Sequence, residues 1–316
     1  MALDEPTLAY LAKMAALQPP DATPMWQSDV QQVRSGLAAR RLSADPFPAM
    51  ARTEEFTLGS GHEEFRLRLH VPTEAPVGLM VYFHGGGWTI GDIDGNDRLG
   101  RELAAASDHA VLLVEYRKSP EYPFPAALND AWAATGWAAR NRERVLGGDG
   151  PLVLAGDSAG ANLATVTARR ATAEGSPHID VQMLVYPVTD SDLSRPSYLE
   201  PENQTLLSLP LIDWFWQNYL PDAEARSAPE ASPLRAETLT GMPPTVLITA
   251  EHDVLRNEGE AYAARLMSAG VPVISRTVPG QMHGFMSMID ELPASRHTID
   301  FLAATIKRLE EEGTGR

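Results

Sequence analysis

Residues 151–165 read PLVLAGDSAGANLAT, in which an apolar stretch of strand length passes through Gly156-Asp157-Ser158-Ala159-Gly160 into a helical pattern. A G-x-S-x-G sequence at a strand-to-helix turn needs small residues beside the serine, because the sharp, strained backbone leaves no room for a Cβ there. Such a turn presents the serine Oγ at the N-terminus of the helix. We therefore predict that Ser158 is a nucleophile. The alternative is a serine that only caps the helix.

A glycine tract follows an earlier strand pattern. GLMVYF (78–83) runs into His84-Gly85-Gly86-Gly87-Trp88, and a tract without side chains lets backbone N–H groups approach a substrate carbonyl. We expect this tract to lie on the same sheet edge as Ser158 and to form an oxyanion hole with the N–H of Ala159. A flexible turn is the alternative. A phosphate-binding loop is disfavoured, because G-x-x-x-x-G-K-[ST] is absent and Ile90 replaces the last glycine of G-x-G-x-x-G.

Asp253 and His283 are the candidates for the acid and the base. In hydrolases with this serine turn the chain order is Ser, acid, His, and both partners follow late strands. Asp253 follows PTVLITA (244–250), and His283 follows VPVISRTV (271–278). We predict that His283 takes the proton of Ser158 and that Asp253 fixes the tautomer of His283.

The other histidines and acids near these positions are assigned supporting or packing roles. His252 adjoins Asp253 and is expected to point away from the site, while Glu251 is expected to support the site by hydrogen bonding rather than to act as the acid. His84 is expected to order its own loop. Surface or packing roles are expected for His109, His178 and His297. Since H-E-x-x-H and any compact cluster of His and carboxylates are missing, we predict no metal site.

The apolar pattern along the chain predicts an α/β fold. EEFTL (54–58) and FRLRLHV (65–71) alternate apolar and polar residues, as a half-exposed antiparallel edge pair would. Buried parallel strands are predicted for GLMVYF (78–83), AVLLVEY (110–116), PLVLAG (151–156), VQMLVYP (181–187), PTVLITA (244–250) and VPVISRTV (271–278). Helical patterns cover 125–141, 161–175, 258–270 and a last helix with Ile299, Leu302, Ile306 and Leu309 on one face. The alternation predicts a mostly parallel, doubly wound central sheet flanked by helices.

Helical patterns at the N-terminus lie outside this alternation. Residues 1–45 contain two of them, and the first places Leu8, Leu11 and Ala15 on one face. We predict that 1–45 forms helices of a cap over the catalytic domain.

A second interruption separates two strand patterns. Residues 188–243 are far longer than the usual αβ connection and are predicted to be an inserted cap segment, so that the catalytic domain covers 46–187 and 244–316. The insertion contains LPLIDWFWQNYL (209–220), which could pack on the core or roof a pocket. The aromatic candidates for this role are Trp214, Phe215 and Trp216.

Composition excludes some classes of partner. The sequence holds 26 Lys and Arg against 42 Asp and Glu, for a net charge of −16, so nucleic acid and anionic membrane faces are poor partners. Because there is no cysteine, disulfides and a cysteine nucleophile are excluded. The opening MALDEPTLAYLAKMAAL lacks a basic region before a long apolar run, and no run has the length of a membrane span. We therefore expect a soluble, cytoplasmic protein.

Several motifs together resemble the bacterial hormone-sensitive-lipase-like carboxylesterases of the α/β-hydrolase superfamily. They are HGGGW (84–88), YRKSPEYPFPAA (116–127), GDSAG (156–160), HDVLRNEG (252–259) and HGF (283–285), with DWFWQNYL (213–220) and SPLRA (232–236). The resemblance implies a triad of Ser158, Asp253 and His283, with Gly86, Gly87 and Ala159 as oxyanion donors. His84, Gly85, Trp88 and Asp157 match other motif positions. Two departures, Val254 where Pro is common and RKSPE where RLAPE is usual, bear on local loop shape.

The resemblance further implies hydrolysis of short-chain acyl esters through an acyl-enzyme, with no cofactor and a small-molecule substrate. Two alternatives stay open. An amidase of the formamidase type uses the same triad, and a ligand-binding receptor can occupy the same fold, although such receptors lack the histidine that His283 supplies here. Relatives often dimerise through the last strand, so a homodimer is a possible assembly.

Overall fold

The computed structural model describes residues 2–19, 21–39, 47–59 and 61–314. These residues contain eight strands: β1 Arg52–Leu58, β2 Phe65–Val71, β3 Gly78–Phe83, β4 His109–Glu115, β5 Leu152–Asp157, β6 Val181–Val185, β7 Thr245–His252 and β8 Val273–Met282. They form one sheet in the order β1-β2-β4-β3-β5-β6-β7-β8. From β4 to β8 every neighbouring pair is parallel, which confirms the predicted mostly parallel sheet.

The two N-terminal strands differ from the expected edge pair. Both β1–β2 and β2–β4 are antiparallel, so β1 alone lies at the edge and β2 lies inside the sheet. The β1 side chains alternate between exposed and half-buried, whereas Phe65, Leu67 and Leu69 of β2 are buried. The antiparallel pairing and the alternation are therefore confirmed, since Arg66 of β2 is exposed between buried neighbours. The prediction that β2 is an edge strand is wrong, because β2 is hydrogen-bonded along both edges.

Helices cover both faces of the sheet. They are α1 Glu5–Leu17, α2 Val30–Ala39, α3 Asp97–Ser107, α4 Ala126–Leu146, α5 Ala159–Glu174, α6 Pro196–Leu199, α7 Leu209–Tyr219, α8 Arg256–Ser268 and α9 Pro293–Thr314. Alternate residues of each strand enter different cores, as the pleat requires. In β3, for example, Val81 packs in the core that contains α4, α5, α7 and α8, whereas Tyr82 packs in the core that contains α3 and α9.

Helix α3 is not among the helices predicted from the apolar pattern. Its pattern DRLGRELAAAS offers few large apolar residues, yet Leu99, Gly100 and Leu103 are buried. A Cβ on Gly100 would lie 3.0 Å from the side chain of Leu113, so this glycine lets the helix approach β4 closely. A glycine that serves close packing is easily read as a helix breaker in a sequence.

The rotation of α1 differs from the prediction. Leu8 is 52% exposed and Ala15 is also exposed, while Leu11 is half-buried and Thr7 is fully buried. The cause is polar: the Thr7 hydroxyl donates to Gln281 Oε1 at 3.3 Å, and this contact turns a different side of α1 toward β8.

The insertion 188–243 leaves the sheet between two neighbouring strands, because β6 and β7 pair directly. Its helix α7 buries Leu211, Ile212, Phe215, Trp216 and Tyr219. The division into cap and catalytic domain stays a prediction, and its boundary at residue 45 lies outside the described residues. No helix in the described part of the chain combines the length and apolar composition that crossing a membrane requires.

Candidate active site

Ser158 stands at the turn between β5 and α5. Its backbone has φ 55° and ψ −121°, and its N–H donates to the carbonyl of Val185 at 2.9 Å. A Cβ on Gly160 would lie 1.9 Å from the Phe83 carbonyl oxygen, and one on Gly156 would lie 2.5 Å from Gly160. Both glycines are therefore required by close contacts, and the turn exposes one hydroxyl-bearing side chain between them.

Three side chains from the ends of separate strands meet in a hydrogen-bonded row. His283 Nε2 lies 3.0 Å from Ser158 Oγ, and His283 Nδ1 lies 2.7 Å from Asp253 Oδ2. Asp253 is fully buried, and its other oxygen accepts the N–H of Leu255 at 2.9 Å. The carboxylate acceptor assigns the proton to Nδ1, which leaves Nε2 to accept the Ser158 hydroxyl.

The glycine loop follows β3 and presents amide groups. Gly86 and Gly87 have φ values of 116° and 56°, which side chains rarely permit. The carbonyl of Gly85 lies 2.7 Å from His84 Nδ1, and the carbonyl of Gly86 accepts two N–H groups of the following turn. Since a trans peptide directs its N–H opposite to its carbonyl, these bonds aim the amides of Gly86 and Gly87 away from the loop's own contacts.

These amides remain available to a ligand. Within the described ranges, the N–H groups of Gly86, Gly87 and Ala159 donate to no protein acceptor. Three unpaired donors in one loop and one helix N-terminus suit a developing negative oxygen. This arrangement can stabilise a tetrahedral intermediate of acyl transfer.

Asp157 joins the glycine loop to the serine turn. Its Oδ1 accepts both the Tyr82 hydroxyl and the Gly85 N–H at 2.8 Å, and a Cβ on Gly85 would lie 2.4 Å from Oδ2. Burial raises the pKa of this carboxyl, while the two donors oppose the shift. The sequence identified Asp157 only as a motif residue. The signal for its role was an acidic side chain at the end of a wholly apolar strand.

His84 is held by an aromatic neighbour. Its ring stacks on Tyr116 with centroids 4.4 Å apart, and the Tyr116 hydroxyl donates to the His84 carbonyl at 2.8 Å. Burial lowers the pKa of His84, so the ring is neutral and donates from Nδ1 to the Gly85 carbonyl. The side chain and the carbonyl of this residue both fix the course of its loop.

Helix α7 of the insertion packs on the same loop. The Trp88 ring stacks on Tyr219 at 4.0 Å between centroids and lies 4.9 Å from Trp216. Phe215 lies against Gly87, where a Cβ would come within 2.1 Å of its ring. Trp214 is half-buried and packs on Phe215 at 5.2 Å. Of the three aromatic cap candidates, Phe215 therefore comes nearest to the oxyanion loop.

Glu251 and His252 precede Asp253 on β7. Glu251 Oε2 accepts the Gly280 N–H of β8 at 2.8 Å, and this bond lowers the pKa of Glu251. It therefore ties together the strand that carries Asp253 and the strand that leads to His283. His252 is buried, and neither ring nitrogen has a hydrogen-bond partner among the described residues.

Glu258 is a buried acid that was not identified from the sequence. Glu258 of α8 is fully buried; its carboxylate accepts the Thr189 N–H at 2.6 Å and the Tyr198 hydroxyl at 2.7 Å. It anchors the start of the insertion to α8. Its only sequence signal was its place within HDVLRNEG. No group of three His, Asp or Glu side chains in the described part of the chain could hold a metal ion.

Comparisons with known proteins identify relatives that are α/β hydrolases and esterases. The family model described as alpha/beta hydrolase fold matches residues 80–287. Carboxylesterase NlhH of Mycobacterium tuberculosis is 35% identical over 286 residues, which cover 88% of this chain and 89% of that protein. Ethyl acetate hydrolase of Pseudomonas putida is 35% identical over 240 residues, with coverages of 73% and 74%. The solved structure of a thermostable esterase from Pseudomonas putida ECU1011 matches with a TM-score of 0.89 at 34% identity over 97% of both chains.

Proposed function

Because this chain belongs to the α/β-hydrolase family and is a hormone-sensitive-lipase-like carboxylesterase, we propose that it cleaves short-chain acyl esters through an acyl-enzyme on Ser158. Ester hydrolysis on a small-molecule substrate is common to its named relatives. We propose in addition which atom acts in each step of the reaction and that short acyl chains are preferred.

Acylation begins with proton transfer. His283 Nε2 accepts the proton of Ser158 Oγ as that oxygen attacks the ester carbonyl, and the carbonyl oxygen becomes an oxyanion held by the amides of Gly86, Gly87 and Ala159. The imidazolium is stabilised by Asp253 and then gives its proton to the leaving alkoxide. The alcohol departs, and the acyl group is bonded to Ser158.

Deacylation repeats these steps with water. His283 Nε2 takes a proton from water, whose oxygen attacks the acyl carbonyl, and the same amides hold the second oxyanion. His283 then returns the proton to Ser158 Oγ as the carboxylic acid leaves. The cycle needs no cofactor, because every proton moves between these groups and solvent.

The proposal rests on one observation, the hydrogen bonding of the three side chains: His283 Nδ1 lies 2.7 Å from Asp253 Oδ2, and His283 Nε2 lies 3.0 Å from Ser158 Oγ. Both distances lie in the range that proton transfer requires. The contact of Phe215 with Gly87 supports a short acyl chain, since an aromatic ring occupies space directly beside the oxyanion loop.

The test is a series of p-nitrophenyl esters from acetate to dodecanoate. We expect the highest kcat/KM for the short members and no turnover by Ser158→Ala, whose fold should be unchanged by circular dichroism. Equal turnover of all chain lengths would contradict the chain preference, and activity retained by Ser158→Ala would contradict the assignment of the nucleophile.

Two further expectations stay predictions. The exposed edge of β8, at Ser275, Arg276 and Thr277, is compatible with pairing of two copies through their last strands, which would bury unpaired backbone groups. Sedimentation velocity tests this homodimer. The cytoplasmic location remains the expectation drawn from the sequence.

A further inference from the structure

Arg34 of α2 connects the N-terminal helices to the glycine loop. Its Nε donates to the carbonyl of Thr89 at 2.8 Å, and its Nη2 donates to the carbonyl of Ser119 at 2.7 Å. Both acceptor residues are buried. The outer edge of the guanidinium pairs with Glu121 through two contacts of 2.9 Å. The Arg34 guanidinium therefore binds a carboxylate along one edge and, along the other, two backbone carbonyls beside the candidate oxyanion hole.

The acceptor of Arg34 Nε belongs to a row of peptide groups. The carbonyl of Thr89 shares its peptide with the N–H of Ile90, and that N–H donates to the Gly86 carbonyl at 2.9 Å. The Gly86 carbonyl shares its peptide with the N–H of Gly87, the candidate oxyanion donor. Neither peptide is cis, so each presents its carbonyl and its N–H in opposite directions.

We propose that Arg34 is a positioning residue for catalysis, which orients and polarises the Gly87 N–H through the Thr89–Ile90 and Gly86–Gly87 peptide groups. The row begins at a cation and ends at the point where negative charge develops. The proposal rests on the assignment of Gly87 as an oxyanion donor in the proposed function.

Two physical effects support the proposal. Hydrogen bonds in series polarise one another, and a charged donor at one end strengthens the last N–H as a donor. The row also fixes direction, because rotating the Gly86–Gly87 peptide would break the bond from the Ile90 N–H. Thr89 adds to this restraint through its hydroxyl, which lies 3.0 Å from the Gly87 carbonyl and 2.9 Å from Ser119 Oγ.

A simpler role for Arg34 would be to tether α2. Glu121 separates the two roles, because it contributes to the tether but does not contact the Thr89–Ile90 or Gly86–Gly87 peptide groups. It binds Arg34 and also accepts from the Gln31 side chain of α2. Glu121→Gln weakens the attachment of α2 and leaves Arg34 Nε on the Thr89 carbonyl. If the Arg34 guanidinium polarises the Gly87 N–H through its positive charge, removing the negative charge of Glu121 does not reduce that polarisation.

The experiment compares Arg34→Met, Arg34→Lys and Glu121→Gln with the wild-type chain on p-nitrophenyl butyrate. Loss of a whole oxyanion donor lowers kcat about 10²- to 10³-fold, so we expect Arg34→Met, which weakens one donor, to lower kcat about tenfold with KM changed less than about twofold. Arg34→Lys should recover part of the rate. Glu121→Gln should stay within about twofold of wild type in kcat.

A transition-state analogue supplies the second readout. A trifluoromethyl ketone forms a tetrahedral adduct with a serine and places an oxyanion in the hole, so its inhibition constant should rise for Arg34→Met in parallel with the fall in kcat/KM. Loosening of the cap alone would instead change KM and would affect Glu121→Gln and Arg34→Met alike.

The outcomes separate the two proposals. Wild-type kcat for a folded Arg34→Met, or equal losses in Arg34→Met and Glu121→Gln, would overturn the role of Arg34 while leaving the triad intact. If the ketone fails to inhibit the wild-type chain, or Ser158→Ala keeps its activity, the proposed function itself fails. Urea unfolding of each variant verifies that the comparison is made between folded proteins.

Discussion

The backbone of Ser158 lies in a region of φ and ψ that glycine enters at low cost and other residues do not. Such a conformation stores about 1–3 kcal/mol and persists only where its surroundings enforce it. Here the surroundings are the Val185 carbonyl, which accepts the Ser158 N–H, and the contact of Gly160 with Phe83. The residue proposed for chemistry is therefore also a strained one.

This strain predicts a gain in stability on replacing the serine by glycine. Ser158→Gly removes the Cβ and should raise the free energy of unfolding by about 1 kcal/mol relative to Ser158→Ala, which keeps the Cβ. Both variants lack the hydroxyl, so the comparison cancels the loss of the bond to His283. Urea denaturation measures the difference. An alanine variant as stable as the glycine variant would show that the turn is not strained.

The catalytic candidates could be identified from the sequence because each stands directly after a strand pattern. Ser158, Asp253 and His283 needed only chain order and strand ends to be placed together. Arg34 could not be found in this way, since the two backbone carbonyls that it binds lie far along the chain and carry no sequence signal. Glu258 was missed for a related reason: burial of an acid depends on the donors that the fold brings to it.

At the scale of elements, α1 is attached by its N-cap. Asp4 Oδ1 accepts the Thr7 N–H at 2.9 Å, while Oδ2 accepts from Gln281 at 2.6 Å. Asp4→Ala should lower the free energy of unfolding by about 1–2 kcal/mol, because it removes a cap and a bond to β8. Glu5→Ala, at an exposed neighbouring position, is the matched control and should be near neutral. Equal effects in urea denaturation would contradict a specific anchor.

The contacts of Asp4 also explain why the position of α1 could be predicted from the sequence but its rotation could not. Helical periodicity located α1 and the buried face of α9, where Ile299, Leu302, Ile306 and Leu309 are all buried. It misjudged the rotation of α1, because a short helix on the outside of a sheet is oriented by a few polar contacts rather than by a wide apolar face. Apolar periodicity predicts the buried face of a helix only where burial of apolar side chains is the main contribution to how that helix packs.

At the scale of the molecule, Glu258 links the insertion to α8 and should make the stability of the protein depend on pH. Burial raises the pKa of Glu258 to about 8, against the opposing effect of its donors. In an unfolded chain a glutamate has a pKa of about 4.3, so the native state binds the extra proton between these values. The contribution of Glu258 to the free energy of unfolding is therefore present below about pH 4.3 and is lost as pH rises through about 8.

Glu258→Gln should flatten this dependence, because glutamine carries no ionisable proton. The measurement is urea denaturation at several pH values between 5 and 8.5. Glu260→Gln, on the same helix but exposed, is the control and should retain the slope of the wild-type chain. A wild-type stability that is flat or rises over this interval would contradict the raised pKa.

The overall topology was predictable because parallel strands buried on both faces read as uninterrupted apolar runs. The position of β2 was not, since alternation in FRLRLHV reports the polarity of its two faces and says nothing about how many neighbours the strand has. The insertion was evident as an interval too long for a connection and as the aromatic stretch 209–220. Its packing on the glycine loop depended on aromatic contacts with Trp88 and Gly87, which residue spacing does not encode.

The contact between Asp4 and the Gly280–Gln281 segment joins the first helix of the chain to its last strand. During synthesis the N-terminal helix leaves the ribosome long before β8 exists, and domains acquire their contacts as their parts emerge. The α1 surface that faces β8 therefore has no docking partner until β8 has been synthesised. His283 follows this strand directly, so the segment that completes the docking site of α1 also brings the candidate general base into the sheet.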